Sequence, residues 1–154
     1  MNKVNNQKGF SILEVILSIT LLAIMMGFSL LYYENSQIRA DVHTQANILV
    51  SSLRLASSNA LSGNNSSHNA IHLESNSYTT FIGTNYDPNA LSNSITVFPS
   101  SITISDIALN EGGADIIFNS PDGKTNNFGS FNLNATAINK TININVSQLG
   151  TINY

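Results

Sequence analysis

The sequence predicts an α+β protein in which one long N-terminal helix packs on an antiparallel β-sheet head. Three observations carry this. An apolar run from Phe10 to Tyr33 is followed, with no Pro or Gly to break it, by apolar residues at three- and four-residue steps up to Ala60. Beyond Gly63 the spacing changes to alternation. The alternating segments lie so close together that only turns fit between them, which favours antiparallel connections.

Four segments follow: residues 1–9, short, polar and basic; 10–33, apolar; 34–61, amphipathic helix; and 62–154, the β-rich head. From Phe10 to Tyr33 a helix rising about 1.5 Å per residue is long enough to cross a hydrocarbon core about 30 Å thick. One carboxylate interrupts the run, Glu14, and on insertion scales a charge in such a place costs about 3 kcal/mol unless it finds a partner. Lys3 and Lys8 precede the run and place the N-terminus on the cytoplasmic side, with the head outside. Tyr32 and Tyr33 are placed to act as interfacial anchors.

In the amphipathic part, Ile38, Val42, Ala46, Leu49, Leu53, Ala56 and Ala60 form one stripe, with Arg39, Asp41, Gln45, Asn47 and Ser52 between them. A helix from Phe10 to about Leu61 is roughly 78 Å long, more than a small domain covers. The polar run Ser62-Gly63-Asn64-Asn65-Ser66-Ser67 ends it. Strands are expected around Ile71 and Leu73, Ile95 and Val97, Ile102 and Ile104, Phe131 and Leu133, and Ile142, Ile144 and Val146. Turns are expected at Tyr86-Asp87-Pro88-Asn89, Glu111-Gly112-Gly113 and Ser120-Pro121-Asp122-Gly123. The stripe from Ile38 to Ala60 is the one helical face available to cover their apolar sides.

Composition narrows the chemistry. Cysteine is absent, so the head has neither a disulfide frame nor a thiolate metal site. The net charge is −3, charged residues make up 10% of the chain, and no basic patch suited to nucleic acid is visible. His43, His68 and His72 show no metal-binding spacing, and no nucleophile elbow or phosphate loop is present. Asp115 and Asp122 are candidates for a cation, with turn formation the simpler account of Asp122 beside Gly123. No catalytic residue, metal site or cofactor is assigned, and the chain is read as a non-enzyme.

The segment Gly9-Phe10-Ser11-Ile12-Leu13-Glu14 resembles the class III leader of type IV prepilins and type II secretion pseudopilins. The resemblance implies that a membrane-embedded aspartic protease, the prepilin peptidase, cuts after Gly9 and methylates the new amine of Phe10. The apolar helix then stays on the mature subunit. It implies further that Glu14 neutralises a neighbouring subunit's Phe10 amine and sets assembly register. The fold implied is the pilin fold, and the partners are other pilins or pseudopilins and membrane lipid. The location implied is the bacterial cytoplasmic membrane, single-pass, then a surface filament or periplasmic pseudopilus.

The stretch from Ala114 to Lys124, with Gly129 to Leu133, Lys140 to Val146 and Leu149-Gly150-Thr151-Ile152, is similar to the heads of minor pseudopilin H and T-type minor pilins. In some of the latter a closing Gly-Arg-x-Arg element serves DNA uptake. The corresponding Gly150-Thr151-Ile152-Asn153 has no arginine, so DNA is an unlikely partner by this route. The expected function is that of a minor structural subunit, with a tip-located binding module (an adhesin or DNA-uptake pilin) as the alternative.

Overall fold

The computed structural model describes residues 9–63 and 68–154, and the side chains of all of these except 28–32 and 34. The expected leader, with Lys3 and Lys8, and part of the loop after Gly63 therefore lie outside the described residues, as does the side chain of Tyr32.

One helix, α1, spans Ile12–Leu61. Eight strands follow: β1 (Asn69–Leu73), β2 (Ser77–Ile82), β3 (Ser94–Val97), β4 (Thr103–Leu109), β5 (Asp115–Phe118), β6 (Gly129–Ala135), β7 (Lys140–Val146) and β8 (Ile152–Asn153). By contacts the chain divides into a unit of residues 1–36 and a unit of residues 37–154.

In the first unit, the described side chains of α1 are exposed on all sides, Ile12 at 80% and Leu13 at 72% among them. Among the described residues no helix is long and apolar enough to cross a membrane. The apolar part of α1 with described side chains runs from Ile12 to Gly27, short of the ~20 residues that a span needs. The expected span over 10–33 continues through side chains outside the described set.

In the second unit, the whole predicted stripe enters the core. Val42, Ala46, Leu49, Leu53, Ala56 and Ala60 are buried and Ile38 packs half-buried beside them. Val50 and Ser57 join that face as well, which widens it beyond the strict three-and-four spacing. Against this stripe lies apolar surface from two sheets, not from the single sheet expected. One has the strand order β3-β2-β1-β5 and the other β4-β6-β7-β8, and every pairing is antiparallel. Ile71, Leu73, Tyr78, Ile116 and Phe118 come from the first sheet, and Ile104, Phe131, Leu133, Ile144 and Val146 from the second. The split follows from β5, which returns to pair with β1 across a long sequence separation, Asn69 opposite Phe118, and so cannot continue the sheet that β4 begins.

Alternation holds where one face meets water. In β7, Ile142, Ile144 and Val146 are buried while Thr141, Asn143 and Asn145 are exposed. β4 breaks the rule once: its register shifts between Ser105 and Ala108, and Asp106 takes φ 50° there. The extra residue changes the phase of the strand, so that Ile104 and Leu109 both face inward. β2 does not alternate, because both its faces are covered. Its second face carries buried Thr79 and Phe81, and Tyr86 from the following loop packs on Phe81 with ring centroids 5.4 Å apart.

Candidate functional site

Gly9, Phe10 and Ser11 precede the helix and are not helical. Ser11 takes the free N–H groups of the first turn. The Leu13 N–H donates to Ser11 Oγ (3.4 Å), and the Glu14 and Val15 N–H groups donate to the Ser11 carbonyl (3.0 and 3.2 Å). Ser11 is thus the N-cap of α1, with Glu14 at the third helical position, the spacing of a capping box. Sequence reasoning did not single out Ser11, though the Ser-x-x-Glu spacing was the signal for it.

Gly9 has open space around it: a Cβ built there meets no atom within 4 Å. Nothing among the described residues requires glycine at this position.

Between Ile12 and Gly27 the polar side chains are Glu14, Ser18 and Thr20. The two hydroxyls bond back to their own helix, Ser18 to the Glu14 carbonyl (2.7 Å) and Thr20 to the Ile16 and Leu17 carbonyls (3.0 and 2.9 Å). Such back-bonding satisfies a hydroxyl in apolar surroundings. Among the described residues the Glu14 carboxylate has no partner, and it is exposed. Among the described residues it is the one polar side chain of this stretch without a hydrogen-bond partner.

The residues weighed for metal chemistry lie at several places, with His72 and Asp115 in contact. His43 is exposed on α1 and His68 precedes β1. Asp122 lies in its turn, where it accepts from the Lys124 N–H (3.1 Å) and pairs with the Lys124 ammonium (3.2 Å). Those contacts, the backbone N–H first, lower its pKa. Asp115 lies elsewhere, and β1–β5 pairing sets it opposite His72. The His72 Nδ1 lies 2.5 Å from Asp115 Oδ1, while the imidazole stacks on Tyr86 at 3.9 Å and 10°. The two residues are 43 positions apart, so spacing carries no hint of this pair. Among the described residues no three His, Cys, Asp or Glu side chains converge as a metal set.

Beside Asp115 an open cavity of about 290 Å³ is lined by Thr84, Glu111, Asp115, Ile117, Asn119 and Asn126 among others. Its wall is held by Asn127, 7% exposed, whose amide donates to the Gly112 and Asp115 carbonyls (2.9 and 2.7 Å) and accepts from the Glu111 N–H (2.7 Å). Among the described residues two carboxylates and no basic side chain line this space, which disfavours phosphate and other anions.

The closing element docks on α1. Gly150 turns at φ 78°, Ile152 is buried, and the Ile152 carbonyl accepts from Arg54 Nη2 at 3.1 Å. The Tyr154 hydroxyl bonds Asn47.

Residues 4–30 match the family model described as the prokaryotic N-terminal methylation motif, a type IV pilin-like prepilin signal. Comparison with curated proteins and with solved structures returns no match.

Proposed function

We propose that this chain is a minor pilin or pseudopilin, a structural subunit of a type IV pilus or type II secretion pseudopilus rather than an enzyme. Prepilin peptidase removes residues 1–9 and methylates the Phe10 amine. The run 10–33 holds the subunit in the bacterial cytoplasmic membrane, with Lys3 and Lys8 inside and the head outside. Assembly then brings Glu14 of one subunit to the Phe10 amine of the next. The head chooses neighbours or cargo.

The methylation motif over residues 4–30 carries this reading. Two local features support it. Gly9 has no role within the described chain, as suits a residue read by another protein. Glu14 is the one polar side chain of its stretch without a partner among the described residues, and an isolated carboxylate in lipid calls for one. The α+β head, with the amphipathic part of α1 laid on antiparallel sheets, is consistent with a pilin-like fold.

Mass spectrometry of the N-terminus after expression with a prepilin peptidase tests the proposal. The expected product starts at Phe10 and carries one methyl group. A mature protein that still starts at Met1 overturns it.

A further inference from the structure

We infer that Ser11 is a positioning residue for leader cleavage, because its cap on α1 keeps the Gly9 carbonyl out of the helix. This rests on the cleavage reading above. In an α-helix each N–H donates to the carbonyl four residues earlier. If α1 ran on toward the N-terminus, the Leu13 N–H would engage the Gly9 carbonyl and the Glu14 N–H the Phe10 carbonyl. Instead the first goes to Ser11 Oγ at 3.4 Å and the second to the Ser11 carbonyl at 3.0 Å. The helix accordingly starts at Ile12, and Gly9 and Phe10 stay outside it.

The Gly9 carbonyl is the one that hydrolysis attacks. Water adds to its carbon, the bond from that carbon to the Phe10 nitrogen breaks, and a proton passes to the leaving amine. A carbonyl enclosed in a helix has a lone pair engaged and one face screened by the next turn. A protease that must polarise that oxygen therefore needs the bond in open backbone. By taking the Leu13 N–H, Ser11 removes the donor that would close it. Glu14, at the third helical position, reinforces the same start, since a carboxylate there complements the positive end of the helix.

Full-length chain in membranes containing prepilin peptidase provides the test, with loss of the leader followed by mass over time. Ser11→Ala is expected to slow cleavage by up to about five-fold, the factor that corresponds to losing a typical N-cap. Ser11→Asn, an equally good cap with a different side chain, is expected to keep the wild-type rate. That rescue separates capping from recognition of the hydroxyl. Cleavage of Ser11→Ala at the wild-type rate overturns the inference, and so does an Asn variant as slow as the Ala variant. A wild-type chain that is never cut overturns the function proposed above and this inference together, an outcome distinct from the other two.

Discussion

Replacing Gly150 by alanine tests how the closing element is locked to the helix. Gly150 sits at φ 78°, and a Cβ there would lie 2.2 Å from the Gly123 carbonyl oxygen and 2.9 Å from Ser57 Oγ. Two costs add. A non-glycine residue in the left-handed region costs about 1–2 kcal/mol, of which about 0.4–1 is offset by the stiffer unfolded chain. The clash is with backbone rather than a flexible side-chain end, so the turn itself must shift, at about 1–3 kcal/mol for an overpacked site. The net expectation is roughly 3 kcal/mol, or a melting point lower by about 10 °C for a unit of this size. Gly113 is the control: its φ is 71°, but its Cβ would meet nothing within 4 Å, so Gly113→Ala should cost only about 1 kcal/mol. Thermal unfolding of residues 37–154, followed by circular dichroism, measures both. If Gly150→Ala is no worse than Gly113→Ala, the contact with Gly123 does not hold the closing element.

Phe131 of β6 is fully buried in the core that also takes α1's apolar face, so Phe131→Ala is expected to destabilise the head by about 3–5 kcal/mol in urea unfolding. Asn127→Ala removes three hydrogen bonds from the Glu111–Asp115 loop and should cost about 2 kcal/mol, with faster amide exchange confined to that loop. The Asp106 pKa is lowered by hydrogen bonds from Asn132 and then Ser105. Its contribution is therefore present above the unfolded carboxylate pKa and fades as pH falls through the lower folded value; Asp106→Asn should flatten the urea midpoint against pH in that acid range. Glu14→Ala should leave the subunit in the membrane fraction but lower its incorporation into filaments, and normal incorporation would refute the register role.

The helix was legible because its spacing survives from Ile38 to Ala60 without interruption, and β4, β6 and β7 were legible because each has one wet face. β1 was located as well, but β3 departs from the expectation: Ile95 and Val97 are exposed and Thr96 between them is half-buried, the reverse of the expected inward apolar side. β2 was not legible: Thr79 and Phe81 are buried on the face opposite Tyr78, so no period-two signal exists. β8, two residues long, is too short to show one. The second sheet was hidden for a different reason. Strand identity is local, but strand order depends on which distant partners close a core, and the β1–β5 pairing joins residues more than forty positions apart. The same topology makes the His72–Asp115 pair and the approach of Arg54 to Ile152 invisible in one dimension. At the N-terminus the reverse holds, since Ser11 and Glu14 are three residues apart and the start of α1 is written in their order.

Glu14 now has two accounts, and their magnitudes decide between them. As the third residue of a capped helix it gains about 0.3–1 kcal/mol from the positive helix end at an exposed site. In the proposed membrane setting the same carboxylate costs about 3 kcal/mol. The local gain covers at most a third of that cost, so capping explains why a glutamate is tolerated at this position but not why one stays in an apolar run. An ammonium four residues back, in open backbone ahead of Ser11, is the right charge at the right depth to supply the remainder. In the proposed function, cleavage after Gly9 would supply that ammonium on every subunit. If the proposed cleavage holds, one serine links the two steps: its cap leaves the Gly9–Phe10 bond outside the helix, and it fixes the helical start from which Glu14 presents its carboxylate.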